Sequence, residues 1–157
     1  MSKGELAKKY FLSGYNCAQS VACAFCEEMG MDVSAASRLA SGFGGGIGGM
    51  REVCGAVSGM VLVLNALYGG YDVTDRAAKA KHYETVRSLC EQYQAESGSI
   101  ICRELLGLSQ DAAYPGPAPR TKEYYQKRPC PDIVARVAEI LEQYLSKQKS
   151  QQEGVAF

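Results

Sequence analysis

Residues 53–68 read VCGAVSGMVLVLNALY, a stretch that contains no charged side chain. A segment that is apolar on nearly all sides over about four helical turns is typical of a helix buried at the centre of a domain. It falls short of the ~20 apolar residues that a membrane-spanning helix needs, and Asn65 interrupts it. The stretch therefore predicts a central core helix around which the rest of the chain packs.

Helical patterns flank this segment on both sides, whereas alternating strand patterns are weak throughout. Asn16 is suited to cap a helix that begins at Cys17 and reaches about Met29, where Gly30 ends it. Further helices are expected at 3–12, at 32–40, at 74–95, at 99–107 with Ser99 as its cap, and at 130–147. We therefore expect an all-α fold with a single helical domain over residues 1–149. It would be a bundle of five or six helices around the 53–68 helix, followed by a frayed tail at 150–157.

The balance of charges excludes one large class of partner. The chain holds 17 basic and 17 acidic residues, so its formal net charge is zero. Without a basic excess it lacks the attraction that holds a phosphate backbone, and nucleic acid is not expected as a partner. Zero net charge also leaves self-association unopposed, which favours a homodimer. The N-terminus has no secretory pattern and no segment suits a membrane, so we expect a cytoplasmic protein with no membrane contact.

Seven cysteines give the first functional signal. In a reducing compartment such a number indicates metal-binding or catalytic thiols more often than structural disulfides. Cys17, Cys54, Cys102 and Cys130 all fall at or within the first turn of a predicted helix. The partial positive charge of a helix N-terminus stabilises a thiolate, which is both the nucleophile and the metal ligand. Four such thiols from four helices could converge on one point.

The other three cysteines carry weaker signals. Cys23 and Cys26 form a C-x-x-C motif, which in thioredoxin-like sites opens a helix after a strand. Here the motif lies inside a predicted helix with no strand before it, so we interpret these two residues and Cys90 as core residues. Similarly, residues 44–49 match G-x-G-x-x-G, but they do not follow a strand, which argues against a dinucleotide site.

The order and spacing of the four cysteines at helix beginnings resemble the C_GCAxxG_C_C family of redox-active proteins. The core motif of that family stands here as Cys54-Gly-Ala-Val-Ser-Gly59, preceded by Cys17 and by a glycine-rich loop at 41–50. It is followed by the sequence CRELLG at 102–107 and by Pro-Cys130-Pro. The similarity extends from about residue 6 to residue 145, nearly the whole chain. The four cysteines of the family pattern are those that the helix positions had already singled out.

The resemblance implies a redox role for the four thiols as catalytic or metal-ligating groups. A related domain of split-Soret-type cytochromes is associated with an iron–sulfur centre, so one expectation is a [2Fe–2S] cluster held by four thiolates, with the backbone of Gly44, Gly45, Gly46 and Gly55 close to the sulfurs. An equal expectation is a dithiol–disulfide couple without a cofactor. A structural zinc site and a ligand-binding scaffold with incidental cysteines are the alternatives.

The sequence leaves the reaction partner open. An oxidoreductase and an electron carrier both fit, and the partner would be a redox protein or a small-molecule oxidant or reductant. Arg51 and Arg103 lie near Cys54 and Cys102, where a guanidinium lowers a thiol pKa or holds an anionic partner, although both are more often plain surface charges. The single histidine, His82, is expected to be exposed rather than a ligand.

Overall fold

The computed structural model describes residues 1–111 and 113–155, and this part of the chain contains eight α-helices. They are α1 (Lys3–Leu12), α2 (Cys17–Ala24), α3 (Val33–Ala40), α4 (Gly55–Tyr68), α5 (Arg76–Ser97), α6 (Cys102–Leu105), α7 (Lys122–Lys127) and α8 (Cys130–Val155). A short 3₁₀ turn at Ser41–Phe43 follows α3. The β pairing in the described residues is a single isolated bridge between Val53 and Ile101. The all-α class and the single domain are confirmed, with more helices than the five or six predicted.

Polar caps set most of the helix beginnings. The side chain of Asn16 accepts a hydrogen bond from the amide of Gln19, and the Gln19 side chain accepts one from the Asn16 amide. Asp32 and Asp75 cap α3 and α5 in the simpler form, each accepting one amide hydrogen bond. Such caps stabilise a helix by about 1 kcal/mol and fix its first residue. They explain why these three beginnings were readable from the sequence.

The predicted central helix is confirmed as α4, which packs against α2, α5 and α8. Its residues Ala56, Val57, Met60, Val63 and Leu64 are no more than 1% exposed. Helix α8 lies along α1 and contributes Val134, Val137, Ile140 and Leu141 to the same core. The starting ends of α2, α4 and α8 are thereby held together on one side of the bundle.

Helix α2 ends at Ala24, five residues before the predicted end at Met29. The Nζ atom of Lys3 in α1 donates to the carbonyl oxygen of Ala24 at 2.9 Å. The amides of Phe25 and Cys26 bond to carbonyls three residues earlier, so the α-helical pattern stops there. The prediction of a helix to Met29 was wrong, because the hydrogen bonds tighten to the i→i−3 pattern at Phe25. Cys26 consequently lies in a turn and not inside a helix.

Other boundaries also differ from the predictions. Val53 lies in the bridge and Cys54 is the N-cap of α4, so that helix begins at Gly55. The cap of α6 is Ile101, because Ser99 uses its hydroxyl to accept from the Ile101 amide and to donate to Glu104. The short helix α7 was not predicted.

Helix α8 is longer than expected. It runs to Val155 and not to about Lys147, so residues 150–155, predicted to be a frayed tail, continue the helix. Its apolar positions pack on α1 and the core in the first half, and no helix-breaking proline follows Pro131. The predicted frayed tail also included Ala156 and Phe157, which lie outside the described part of the chain.

His82 was expected to be exposed but is 8% exposed. Its Nε2 atom lies 2.8 Å from the Oδ1 atom of Asn65, and its ring lies beside that of Tyr71. The polar residue that interrupts the apolar stretch of α4 therefore serves as the hydrogen-bond partner of the histidine. None of the helices in the described ranges is both long and apolar enough to cross a membrane.

The packing of α4 on α2 predicts the effect of one substitution. A Cβ atom at Gly59 would lie 2.7 Å from the carbonyl oxygen of Ala18 and 3.1 Å from the Cβ atom of Val21. Gly59→Ala should therefore lower the free energy of unfolding by about 1–3 kcal/mol, in spite of the better helix propensity of alanine. Urea denaturation followed by circular dichroism measures the change.

Gly154→Ala is the matched control, because Gly154 is also helical and has open space around it. Its free energy of unfolding should stay unchanged or rise by up to ~1 kcal/mol. If the two variants were equally stable, the close approach of α2 and α4 would not limit the residue at position 59.

Candidate functional site

The four cysteines of the sequence pattern all stand at helix beginnings. Cys17, Cys102 and Cys130 are the first residues of α2, α6 and α8, and Cys54 is the N-cap of α4. All four line one cavity of about 80 Å³. The convergence that the helix positions suggested is therefore found. Cys54, Cys102 and Cys130 are buried, and Cys17 is partly exposed.

A short backbone pairing brings Cys54 and Cys102 together, although they are far apart in sequence. Around the Val53–Ile101 bridge, the amide of Cys54 donates to the carbonyl of Ile100 at 2.8 Å. The amide of Cys102 donates to the carbonyl of Glu52 at 2.6 Å. The pairing fixes the starts of α4 and α6 side by side.

Glycine at position 55 brings Cys17 to the same place. A Cβ atom on Gly55 would lie 3.1 Å from the Cβ atom of Cys17 and 3.0 Å from the carbonyl oxygen of Phe43. The starts of α2 and α4 can touch only because this residue has no side chain. The proline after Cys130 is favoured in the first turn of α8, and Cys130 closes the cavity from that side.

Cys17 and Cys130 share a hydrogen bond, and their pKa values are shifted in opposite directions. A hydrogen bond from Cys17 is the largest influence on Cys130, and the guanidinium groups of Arg128, Arg120 and Arg51 add to it, so the pKa of Cys130 falls to about 7 despite burial. The same hydrogen bond, followed by burial and the neighbouring thiols, raises the pKa of Cys17 well above its usual range. At neutral pH Cys17 is thus the thiol that donates, and Cys130 is the sulfur that becomes the thiolate.

Cys54 is in a different electrostatic state. Burial is the largest influence and raises the pKa of Cys54, whereas the amides of Ala56 and Val57, which point at its sulfur, lower it. With the smaller upward effects of Cys102 and Cys130 included, the pKa of Cys54 is about 11. Cys54 is therefore a neutral thiol at the pH at which Cys130 ionises. One cavity holds a reactive sulfur and a resistant one.

The predicted glycines lie around this cavity in two ways. Gly45, Gly46 and Gly55 line it, and a Cβ atom on Gly46 would lie 2.7 Å from the Cβ atom of Cys102. Gly44 instead lies against the Asn16 side chain and lines an adjoining cavity. The amides of residues 47–52 donate to carbonyls within the loop, so this part of the loop does not direct its N–H groups at a ligand.

Three arginines line the cavity, and only one of them, Arg51, is among the two that the sequence singled out. Arg51 lines the cavity, but its Nη1 atom lies 3.7 Å from the sulfur of Cys102, not Cys54. Arg103 bonds to backbone carbonyls of Met50 and Ser109. Arg120 and Arg128, which line the same cavity, were missed. Arg128 precedes Cys130 by two residues, which was a usable signal, whereas nothing in the sequence marks Arg120.

The remaining cysteines lie elsewhere. Cys23 is buried between α2 and α3 with its sulfur 3.7 Å from the carbonyl oxygen of Val33, and burial raises its pKa to about 11. Cys26 is in the turn after α2, and Cys90 lines a separate apolar cavity. Within residues 1–111 and 113–155, no three His, Cys, Asp or Glu side chains are arranged to hold one metal ion.

The pKa of Cys130 predicts how its reactivity depends on pH. Its alkylation by iodoacetamide should rise through pH 7 and level off above about pH 8, because the thiolate is the nucleophile, while free cysteine has a pKa of about 8.5. Mass spectrometry of the peptide that contains Cys130 follows the reaction. Cys17→Ala removes the hydrogen-bond donor and should move the midpoint to higher pH, whereas Cys26→Ala should not. A midpoint near that of free cysteine in the unmodified chain would contradict the arrangement.

Comparison with known proteins agrees with this geometry. The family model described as "Putative redox-active protein (C_GCAxxG_C_C)" matches residues 15–144, which include all four cysteines of the cavity. No curated protein and no solved structure showed significant similarity to the chain. The match covers most of the sequence, and the chain belongs to the C_GCAxxG_C_C family of redox-active proteins.

Proposed function

We propose that the chain is a thiol–disulfide redox protein in which Cys130 and Cys17 are the reactive pair. The observation that carries the proposal is that both thiols line one small cavity with three arginines, and that a hydrogen bond between them shifts their pKa values in opposite directions. Two sulfurs within hydrogen-bond reach can form a bond with little movement of the backbone, provided that the rest of the disulfide geometry can be met. The surrounding positive charge stabilises the thiolate that starts the exchange.

The two residues have different roles in the exchange. The Cys130 thiolate attacks one sulfur of a disulfide RS–SR, forms a mixed disulfide and releases RS⁻, which takes up a proton. The Cys17 thiol then loses its proton and attacks the Cys130 sulfur of the mixed disulfide, releasing the second RS⁻. The products are a Cys17–Cys130 disulfide and two molecules of RSH. The protein has lost two electrons and two protons, and the substrate has gained both.

Trapping the intermediate tests this order of events. With excess bis(2-hydroxyethyl) disulfide, the unmodified chain should lose two thiols, and non-reducing peptide mapping should find Cys17 linked to Cys130. The Cys17→Ser variant lacks the resolving thiol, so it should stop at a mixed disulfide on Cys130, seen as the mass of one half-disulfide. The Cys26→Ser variant should still form the internal disulfide. A linkage between other cysteines, or no loss of thiols, would overturn the proposal.

A second candidate function rests on the number of thiols in the cavity. A [2Fe–2S] cluster takes four cysteine ligands, and Cys17, Cys54, Cys102 and Cys130 supply that donor set around one space. When bound, such a centre transfers one electron at a time. The residues of the chain would contribute glycine backbone without side chains next to two of the sulfurs, and the Arg51 guanidinium 3.7 Å from Cys102. Hydrogen bonds and charges of this kind tune a redox centre.

Metal analysis separates the candidates. Protein purified without oxygen should contain neither stoichiometric iron and sulfide nor zinc if dithiol exchange is the function. Iron and sulfide with a visible absorption that disappears in the Cys54→Ser variant would favour the cluster, because Cys54 has no role in the dithiol reaction. Stoichiometric zinc would favour a structural site. A Cys54→Ser variant that changes only stability, in a protein without reactive thiols, would indicate a scaffold.

A further inference from the structure

A second, larger cavity adjoins the cysteine cavity. It measures about 500 Å³, against about 80 Å³ for the inner space. The two share six lining residues, which are Asn16, Gly45, Arg51, Arg120, Tyr124 and Arg128. The outer cavity is built from the glycine-rich loop and from the segment around residues 114–120 that leads into α7. The inner space admits a few atoms, whereas the outer one is large enough for a small molecule.

The outer cavity has positive charge without a balancing carboxylate. Arg51, Arg120 and Arg128 line it, and no Asp or Glu stands among the lining residues that the structure describes. Within the described ranges, no ion pair joins a carboxylate to any of these three guanidinium groups. Low-dielectric walls that carry one sign of charge concentrate ligands of the opposite sign. The chain as a whole has no net charge, so this local excess is a property of the cavity.

Apart from the Cys130 sulfur, the contacts that hold Arg120 and Arg128 in place are neutral. Arg120 donates to the carbonyls of Phe11 and Tyr15 at 3.2 and 3.1 Å. Its Cζ atom also lies 4.4 Å from the centroid of the Phe11 ring. Arg128 lies over the ring of Tyr124 at 5.2 Å. Carbonyls and aromatic rings hold a guanidinium in position but leave its full charge available. These contacts order the arginines before any ligand arrives.

We propose that the outer cavity binds the substrate, and that the substrate is a low-molecular-weight disulfide that carries carboxylate groups. The inference rests on the proposed dithiol function and names its substrate class. The carboxylates would lie with the arginines in the outer cavity, and one sulfur would enter the inner cavity towards Cys130. Guanidinium groups bind carboxylates in paired hydrogen bonds, which orients the ligand as well as attracting it. The exchange is the balanced one given above, with RSH as the released carboxylated thiol.

Three disulfides in which the same two-carbon spacer joins each sulfur to a different end group test the substrate class. They are 3,3′-dithiodipropionate with two carboxylates, the neutral bis(2-hydroxyethyl) disulfide, and cystamine with two ammonium groups. Each rate of thiol loss is divided by the rate of free cysteine with the same disulfide, because the three leaving thiols differ in pKa and therefore in intrinsic reactivity. The normalised rate should fall in that order, with at least about a tenfold difference between the first and the last at low salt. Added salt should reduce the difference, because it screens charges that solvent can reach.

Arginine variants show whether the cavity is the cause. Arg128→Gln and Arg51→Gln should each lower the ratio of the dithiodipropionate rate to the cystamine rate by about threefold or more. A change in Cys130 nucleophilicity would affect all three disulfides alike, so the ratio isolates substrate binding. Arg87→Gln removes the same charge from an exposed position on α5 and should leave the ratio unchanged. Equal normalised rates for the three disulfides would overturn the inference and leave the proposed function standing.

Alkylation, a reaction without redox exchange, distinguishes failure of the substrate class from failure of the proposed function. Alkylation of Cys130 by anionic iodoacetate is compared with alkylation by neutral iodoacetamide, and the ratio is divided by that for free cysteine. A normalised ratio above about threefold that falls in Arg128→Gln supports the anion site. If no disulfide oxidises the pair, the proposed function and the disulfide substrate are both overturned. The alkylation ratio then decides whether the cavity selects anions, and a normalised ratio of one would overturn that as well.

Discussion

The approach of α2 to α4 is the contact on which the site depends. At Gly55 and Gly59 the two helices are so close that a Cβ atom would lie 2.7–3.2 Å from the atoms of α2. With the apolar faces of α4 and α8 buried in the same core, this contact fixes the beginnings of α2, α4 and α8 on one side of the bundle. The Val53–Ile101 bridge adds the beginning of α6. The four cysteines lie together because the N-terminal ends of the helices that carry them lie together.

Crowding four thiols into one buried cavity creates an electrostatic conflict. Each thiolate raises the cost of the next, and burial disfavours all of them. Cys130 ionises more readily than Cys17 and Cys54, because it accepts the hydrogen bond from Cys17 and because three arginines lie near it. Cys54, although two amides point at its sulfur, stays a thiol at neutral pH. The cavity therefore favours one negative charge at a time, which suits stepwise exchange through a single attacking sulfur.

The cysteines and the arginines come from different kinds of structure. The sulfurs stand on the first turns of helices, where packing limits their movement. The charges that surround them come from segments between helices, Arg51 from the glycine-rich loop, Arg120 from the proline-rich segment and Arg128 from the residues before α8. Binding residues are often found on loops that a rigid scaffold holds in position. In the proposed function, the scaffold would supply the reactive thiols, and the loops would supply the charge that selects a substrate.

The sequence by itself determined the helical class, the central helix and the position of four cysteines at helix beginnings. These features depend on local causes, since capping residues such as Asn16 and Asp75 act within one turn and an apolar stretch is buried wherever it folds. Only the tertiary structure decided which sulfurs touch and which arginines face them. At the early end of α2, the Ala24 carbonyl bonds to Lys3 of another helix. Likewise, Arg120 reaches the thiols only because it binds the carbonyls of Phe11 and Tyr15, more than a hundred residues earlier in the chain. Such contacts leave no periodic pattern, so the sequence could predict the helices and the convergence of the four cysteines, but not which of them interact or which arginines line their cavity.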